Sequence, residues 1–286
     1  MNNYSVAQKS LVVLEVIGVT FIIIPLLTLG IYRLFPGFEA WQMEQLGFPF
    51  PVFVYVIMVA LPLLIIFLRR KSLADFGIVS HNVKNQLDIT ATCFIPVVLG
   101  NLPLGMGVDH TTWRGALILA VAQILLLFAL AWLLRKKPSY GAGALGFLGA
   151  GLVLAPELVH SAGASPGKVV VLFLTYALFV GFGEEILYRG YMHSRLNEVF
   201  GKPYTFYGVA FGWGALITAL LFGFTHVGIL RWILGLNTQV TLAWGFWTVF
   251  SGLVFGFVRE KSGSILPSAL LHGLPQAMAT VAMLFI

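Results

Sequence analysis

A chain of 286 residues that is 59% hydrophobic and 10% charged, with a mean hydropathy of +0.93, is too apolar for a soluble domain, in which about 25% of residues carry charge. Its formal net charge of +6 would suggest nucleic acid in a soluble protein, but the basic residues stand in short stretches between long apolar runs, where they set membrane orientation and call for no nucleic-acid partner. A single cysteine, Cys93, rules out an internal disulfide and a cysteine-rich metal site.

Runs of about 20 apolar residues without the alternation of barrel strands predict helices, which satisfy their own backbone in lipid. The expected fold is an all-α, polytopic transmembrane helical bundle of eight or nine spans. The first run, 11–32, is too long for a signal sequence and lacks a small-residue cleavage site, so it reads as a retained span. Further spans are expected at 52–68, 89–106 and 116–134, with a polar surface stretch at 72–88. A glycine-rich run at 141–158, carrying Glu157, is another candidate. A helix starting near 168 has nothing to stop it before about 200, and spans at 207–226, 240–258 and 265–285 complete the count. With nine spans, the basic clusters at 69–71, 135–137, 195–202 and 259–261 fall on one side, which the positive-inside rule makes cytoplasmic together with the N-terminus. No internal repeat of the transporter kind is evident. Residues 1–160, without an assignable motif, and 161–286, which hold the polar motifs, read as one integrated domain.

The informative stretch is 181–191, GFGEEILYRGY, which puts two carboxylates and an arginine into a run otherwise fit for hydrocarbon. A charge there is costly and calls for a partner or a function. Glu185 and Arg189 share a helical face four residues apart in the favourable order, so they neutralise each other. Glu184 lies about 100° further round and has no such local partner. His226 and His272 are the other polar groups at depth, each alone more often an interhelical hydrogen-bonding residue than a catalyst. Helical rise puts Glu184 about 24 Å and His226 about 28 Å from the turn that joins their helices, against about 12 Å for His272 from its own loop. Pro275 removes an amide donor and frees the carbonyl of Leu271 beside His272. Glu15 and Glu157 read as packing or helix-end residues, and His81, His110, His160 and His193 as solvated ones. Trp41, Trp113, Trp232 and Trp244 read as interfacial belt residues.

Three elements together, E-E-x-x-x-R at 184–189, F-x-x-x-H from Phe222 to His226, and GSILPSALLH ending in His272, resemble the CAAX protease and bacteriocin-processing (CPBP) membrane family, which includes the type II CAAX prenyl endopeptidases. The family's last motif ends in Asn or Asp, whereas here Gln276 adds a methylene. The resemblance implies an intramembrane endopeptidase that cuts a membrane-embedded or lipidated peptide in the bilayer of a prokaryotic plasma membrane. Glu184 and His226 would activate water, His272 and Gln276 would stabilise the oxyanion, and Glu185, Arg189 and Phe222 would support them. No cofactor is expected. The alternative is a catalytic zinc on Glu184, His226 and His272, but the chain lacks H-E-x-x-H. Other readings are an inactive member acting as a scaffold or immunity protein, and a proton-coupled transporter.

Overall fold

The structure, a computed structural model, describes residues 4–46, 52–79, 81–135, 166–229 and 240–282. The first helix, α1 (Val6–Leu34), opens on a capping box in which Ser5 and Gln8 satisfy each other's backbone amides. Pro25 lacks an amide hydrogen, and the π-helical turn Val19–Ile23 just before it absorbs the interrupted hydrogen-bond ladder. Then come α2 (Phe38–Leu46), α3 (Val52–Leu68), α4 (Val83–Gly100) and α5 (Trp113–Leu133), capped by Thr112 on the amide of Gly115. The remaining helices are α6 (Val169–Phe200), α7 (Trp213–His226), α8 (Leu242–Ser262) and α9 (Leu266–Ala282).

Among the described residues this integral membrane protein is all-helical apart from one short hairpin. Four helices, α1, α5, α6 and α8, are long and apolar enough to cross a bilayer, and α3 and α7 are shorter apolar helices. Eight or nine spans are therefore not reached among the described residues, and the run at 141–158, with Glu157 and His160, lies outside them. The 21 residues of α5, at about 1.5 Å each, match a hydrocarbon layer about 30 Å thick. Its exposed side chains, Leu117, Val121, Leu125, Phe128 and Trp132, form one greasy stripe, while Ala116, Leu119, Leu126 and Leu130 are buried behind it. A helix that is apolar on both faces belongs in lipid.

The seventh span begins later than its hydropathy suggests. Residues Tyr204–Phe206 (β1) and Val209–Phe211 (β2) pair antiparallel. Tyr207 and Gly208 between them both have positive φ, +47° and +78°, as a two-residue type I′ turn requires. The stretch 72–88 also differs from a simple surface loop. Phe76 is buried and stacks on Tyr191, and the carbonyl of Gly77 accepts from the amide of Ile265 at 2.9 Å.

Ion pairs gather the basic clusters at one end. Arg69 meets Glu15 at 2.9 Å and Lys71 meets Glu198 at 3.1 Å, while Lys202 pairs with Glu260. Leu134, next to Arg135, shares a core cluster with Val209 and Val258 at that same end. A close helix approach lies between α6 and α9. A methyl group on Gly181 would lie 2.6 Å from the carbonyl oxygen of Ala269, and one on Gly273 would lie 2.5 Å from that of Ala177. Small residues here let the two backbones touch, and that contact sets the next residue, His272, against the acidic pair of α6.

Candidate active site

In α6, Glu184 and Glu185 lie between two π-helical stretches, Thr175–Gly183 and Ile186–Met192. Such winding is uncommon and concentrates at functional positions. All three charged groups of the motif are buried: Glu184 is 8% exposed, Glu185 0% and Arg189 1%. The i,i+4 pair forms as the spacing requires, with Arg189 Nη1 2.8 Å from Glu185 Oε1. Arg189 also donates to the carbonyl of Gly252 on α8 at 3.2 Å. Its guanidinium lies 4.5 Å from the ring centre of Phe222 and 5.4 Å from that of Phe255. A cation so enclosed is held by its carboxylate, one carbonyl and two aromatic faces.

His272 bridges the two glutamates. Its Nδ1 is 3.1 Å from Glu185 Oε1 and its Nε2 is 3.7 Å from Glu184 Oε2. A carboxylate that pairs with an arginine can only accept, so Nδ1 carries the hydrogen. Glu185 thus holds Arg189 and His272 on the same oxygen. The imidazole stacks on Phe255 with centroids 4.7 Å apart. The depth mismatch expected from helical rise is therefore closed in the folded bundle.

His226, at the end of α7, places Nδ1 2.8 Å from the carbonyl oxygen of Phe222. A carbonyl cannot donate, so in the neutral ring Nε2 is left as an acceptor. His226 feels the charge of Glu184 and of His272. Phe222 ties the group together, with ring centroids 4.5 Å from His226 and 6.0 Å from His272, as well as its contact with Arg189. Gln276, one turn beyond His272, is exposed and stands apart from this gathering. Among the described residues, no three His, Cys, Asp or Glu side chains are arranged to hold a metal ion.

Several participants were not singled out by sequence. Tyr55 of α3 brings its hydroxyl to 3.4 Å from Glu184 Oε1, although it sits in an apolar run with no motif around it. Tyr188 donates to Thr225 at 2.9 Å, and Thr225 to the carbonyl of Phe222 at 2.7 Å, which links α6 to α7. Trp244 faces His226 at 5.6 Å instead of serving only as a belt residue. Away from the site, His193 is fully buried and bonds Glu260 at 2.9 Å, contrary to the solvated reading. Glu15 is more than packing: it pairs with Arg69 and Arg195 and accepts from Tyr191.

The model of the family described as type II CAAX prenyl endopeptidase Rce1-like matches residues 166–278, less than half of the chain but all of the residues from Glu184 to Gln276. No curated protein and no solved structure matches. Two buried carboxylates bridged by an imidazole from another helix lie inside the matched segment, and residues 166–278 are similar to the type II CAAX prenyl endopeptidase Rce1-like family.

Proposed function

We propose that this protein is an intramembrane endopeptidase that hydrolyses a peptide bond near a membrane-anchored or lipidated tail, with water activated by Glu184 and His226. The observation that carries the reading is the unequal state of the two glutamates. Oε2 of each glutamate lacks a hydrogen-bond partner, but Glu185 Oε1 is held by both Arg189 and His272, whereas Glu184 pairs with no arginine or lysine among the described residues and turns its open Oε2 toward His272 Nε2. An acidic group kept in lipid without a full set of partners is more economically explained by reaction than by packing.

In this mechanism a water donates one hydrogen toward Glu184, and His226 Nε2 accepts the other. As Glu184 takes the proton, the water oxygen bonds to the scissile carbonyl carbon and the carbonyl electron pair moves onto its oxygen. His272 is fixed through Nδ1, and with both ring nitrogens protonated it donates from Nε2 to that oxyanion. A donor aimed at developing charge in a dry site stabilises it far more than in bulk water. Collapse of the intermediate breaks the C–N bond, and the proton held by Glu184 passes to the leaving amine. Gln276, exposed one turn beyond His272, serves as an auxiliary donor only when its side chain turns inward with substrate bound. Glu185, Arg189 and Phe222 position these groups. The mechanism needs no metal; zinc on Glu184, His226 and His272 is the rival arrangement. The basic end of the bundle is assigned to the cytoplasm of a prokaryotic cell, with the N-terminus on that side.

The test is cleavage of a fluorogenic lipidated peptide by the purified protein in lipid vesicles. Wild type is expected to cleave, Glu184→Ala to be inactive, and activity to survive strong chelation. Equal cleavage by Glu184→Ala removes the mechanism, and loss on chelation restored by zinc replaces it with the metal variant. No cleavage by a well-folded wild type favours the scaffold or immunity role.

A further inference from the structure

We infer that Tyr55 of α3 is a positioning residue for Glu184: its phenol donates to Oε1 and turns the other carboxylate oxygen, Oε2, toward the reacting water. The inference rests on the hydrolytic reading above, and it extends the site to a helix outside the matched segment 166–278.

An ionised carboxylate has two equivalent oxygens and no hydrogen, so a phenol beside it can only donate. Here the oxygens are made unequal. Oε1 is 3.4 Å from the Tyr55 hydroxyl, and Oε2, without a donor, is 3.7 Å from His272 Nε2. A contact at the long end of the hydrogen-bond range is common in catalytic groups before substrate arrives, and it tightens in the reacting complex. The ring that carries the phenol is seated by the backbone of α6 itself. A methyl group on Gly183 would fall 3.0 Å from Tyr55 Cδ1, so any side chain immediately before Glu184 displaces the ring by at least a few tenths of an ångström. Ile57 and Met58 of α3 belong to a core cluster that includes Leu187, Tyr188 and Phe222, and Val54 and Tyr55 pack against it. The hydroxyl therefore sits on a packed element and not on a loop.

Tyr55→Phe keeps the ring and removes only the donor. It is expected to lower kcat about tenfold, the scale of one hydrogen bond to a charged group, with KM and Tm unchanged from wild type. Gly183→Ala keeps the hydroxyl but pushes the ring off its seat, and is expected to lower kcat in the same direction. Equal kcat in wild type and Tyr55→Phe overturns the positioning role and leaves Glu184 as base intact. So does a loss confined to KM, or a loss in both variants that merely follows a fall in Tm. Failure of wild type to cleave the peptide removes the hydrolytic reading itself, and the role of Tyr55 falls with it.

Discussion

Glu184 and Glu185 are neighbours of identical chemistry, and their surroundings divide their work. Glu185 Oε1 receives both Arg189 and His272, so Glu185→Gln strips the countercharge from a buried guanidinium. Breaking such a pair is destabilising by about 3–5 kcal/mol, and it also frees His272. We expect Glu185→Gln to lose both cleavage and Tm. Glu184→Gln is expected to abolish cleavage while Tm holds or rises, because it removes a poorly compensated buried charge. Thermal melts in detergent beside peptide cleavage check the contrast; equal Tm losses in the two variants would make Glu184 structural. The i,i+4 geometry of Glu185 and Arg189 was legible in the sequence, because one helix fixes it. The bond from His272 to Glu185 was not, since it depends on how closely α9 approaches α6.

That approach is a property of whole elements. Gly181 and Gly273 are the points at which α6 and α9 touch, and an added methyl has backbone, not a flexible side chain, in its way. Gly181→Ala must therefore separate the helices. Overpacking of this kind costs about 1–3 kcal/mol, and we expect a lower Tm together with loss of cleavage, because His272 is carried away from both glutamates. Gly18→Ala in α1, where nothing lies within 4 Å of the new methyl, is the control and should leave both readouts unchanged. Hydropathy located α3, α5, α6, α8 and α9 to within a few residues, because lipid-facing helices are apolar all round. It failed at residues 207–211, read as the start of a span, which instead form the tip and second strand of a hairpin. The Tyr207–Gly208 turn was the available signal. The π-helical winding of α6 had none, since it answers to packing and not to local preference.

At the scale of the molecule, the basic clusters at 69–71, 195–202 and 259–261 meet at one end, through pairs such as Lys71 with Glu198 and Lys202 with Glu260. Membrane-impermeant thiol labelling can place that end. Cys93 is fully buried, so the native chain gives little background. Ser72→Cys and Lys261→Cys are expected to label from the cytoplasmic side, and Thr111→Cys, at the far end of α5, from the other. Labelling of Ser72→Cys and Lys261→Cys from opposite sides would contradict the arrangement. The same end shows why the early helices were hard to interpret. Glu15 of α1 clasps Arg69 of α3 and Arg195 of α6, but a lone glutamate in an apolar run carries no mark of its distant partners. With Tyr55 beside the middle of α6 and Glu15 at its lower end, α1 and α3 brace the half of the reactive helix that carries the motif. A chain pared down to residues 161–286 would keep every motif yet leave Tyr191 and Arg195 stripped of their cover. It should accumulate as aggregate when expressed alone, and recover only if residues 1–160 are supplied alongside it.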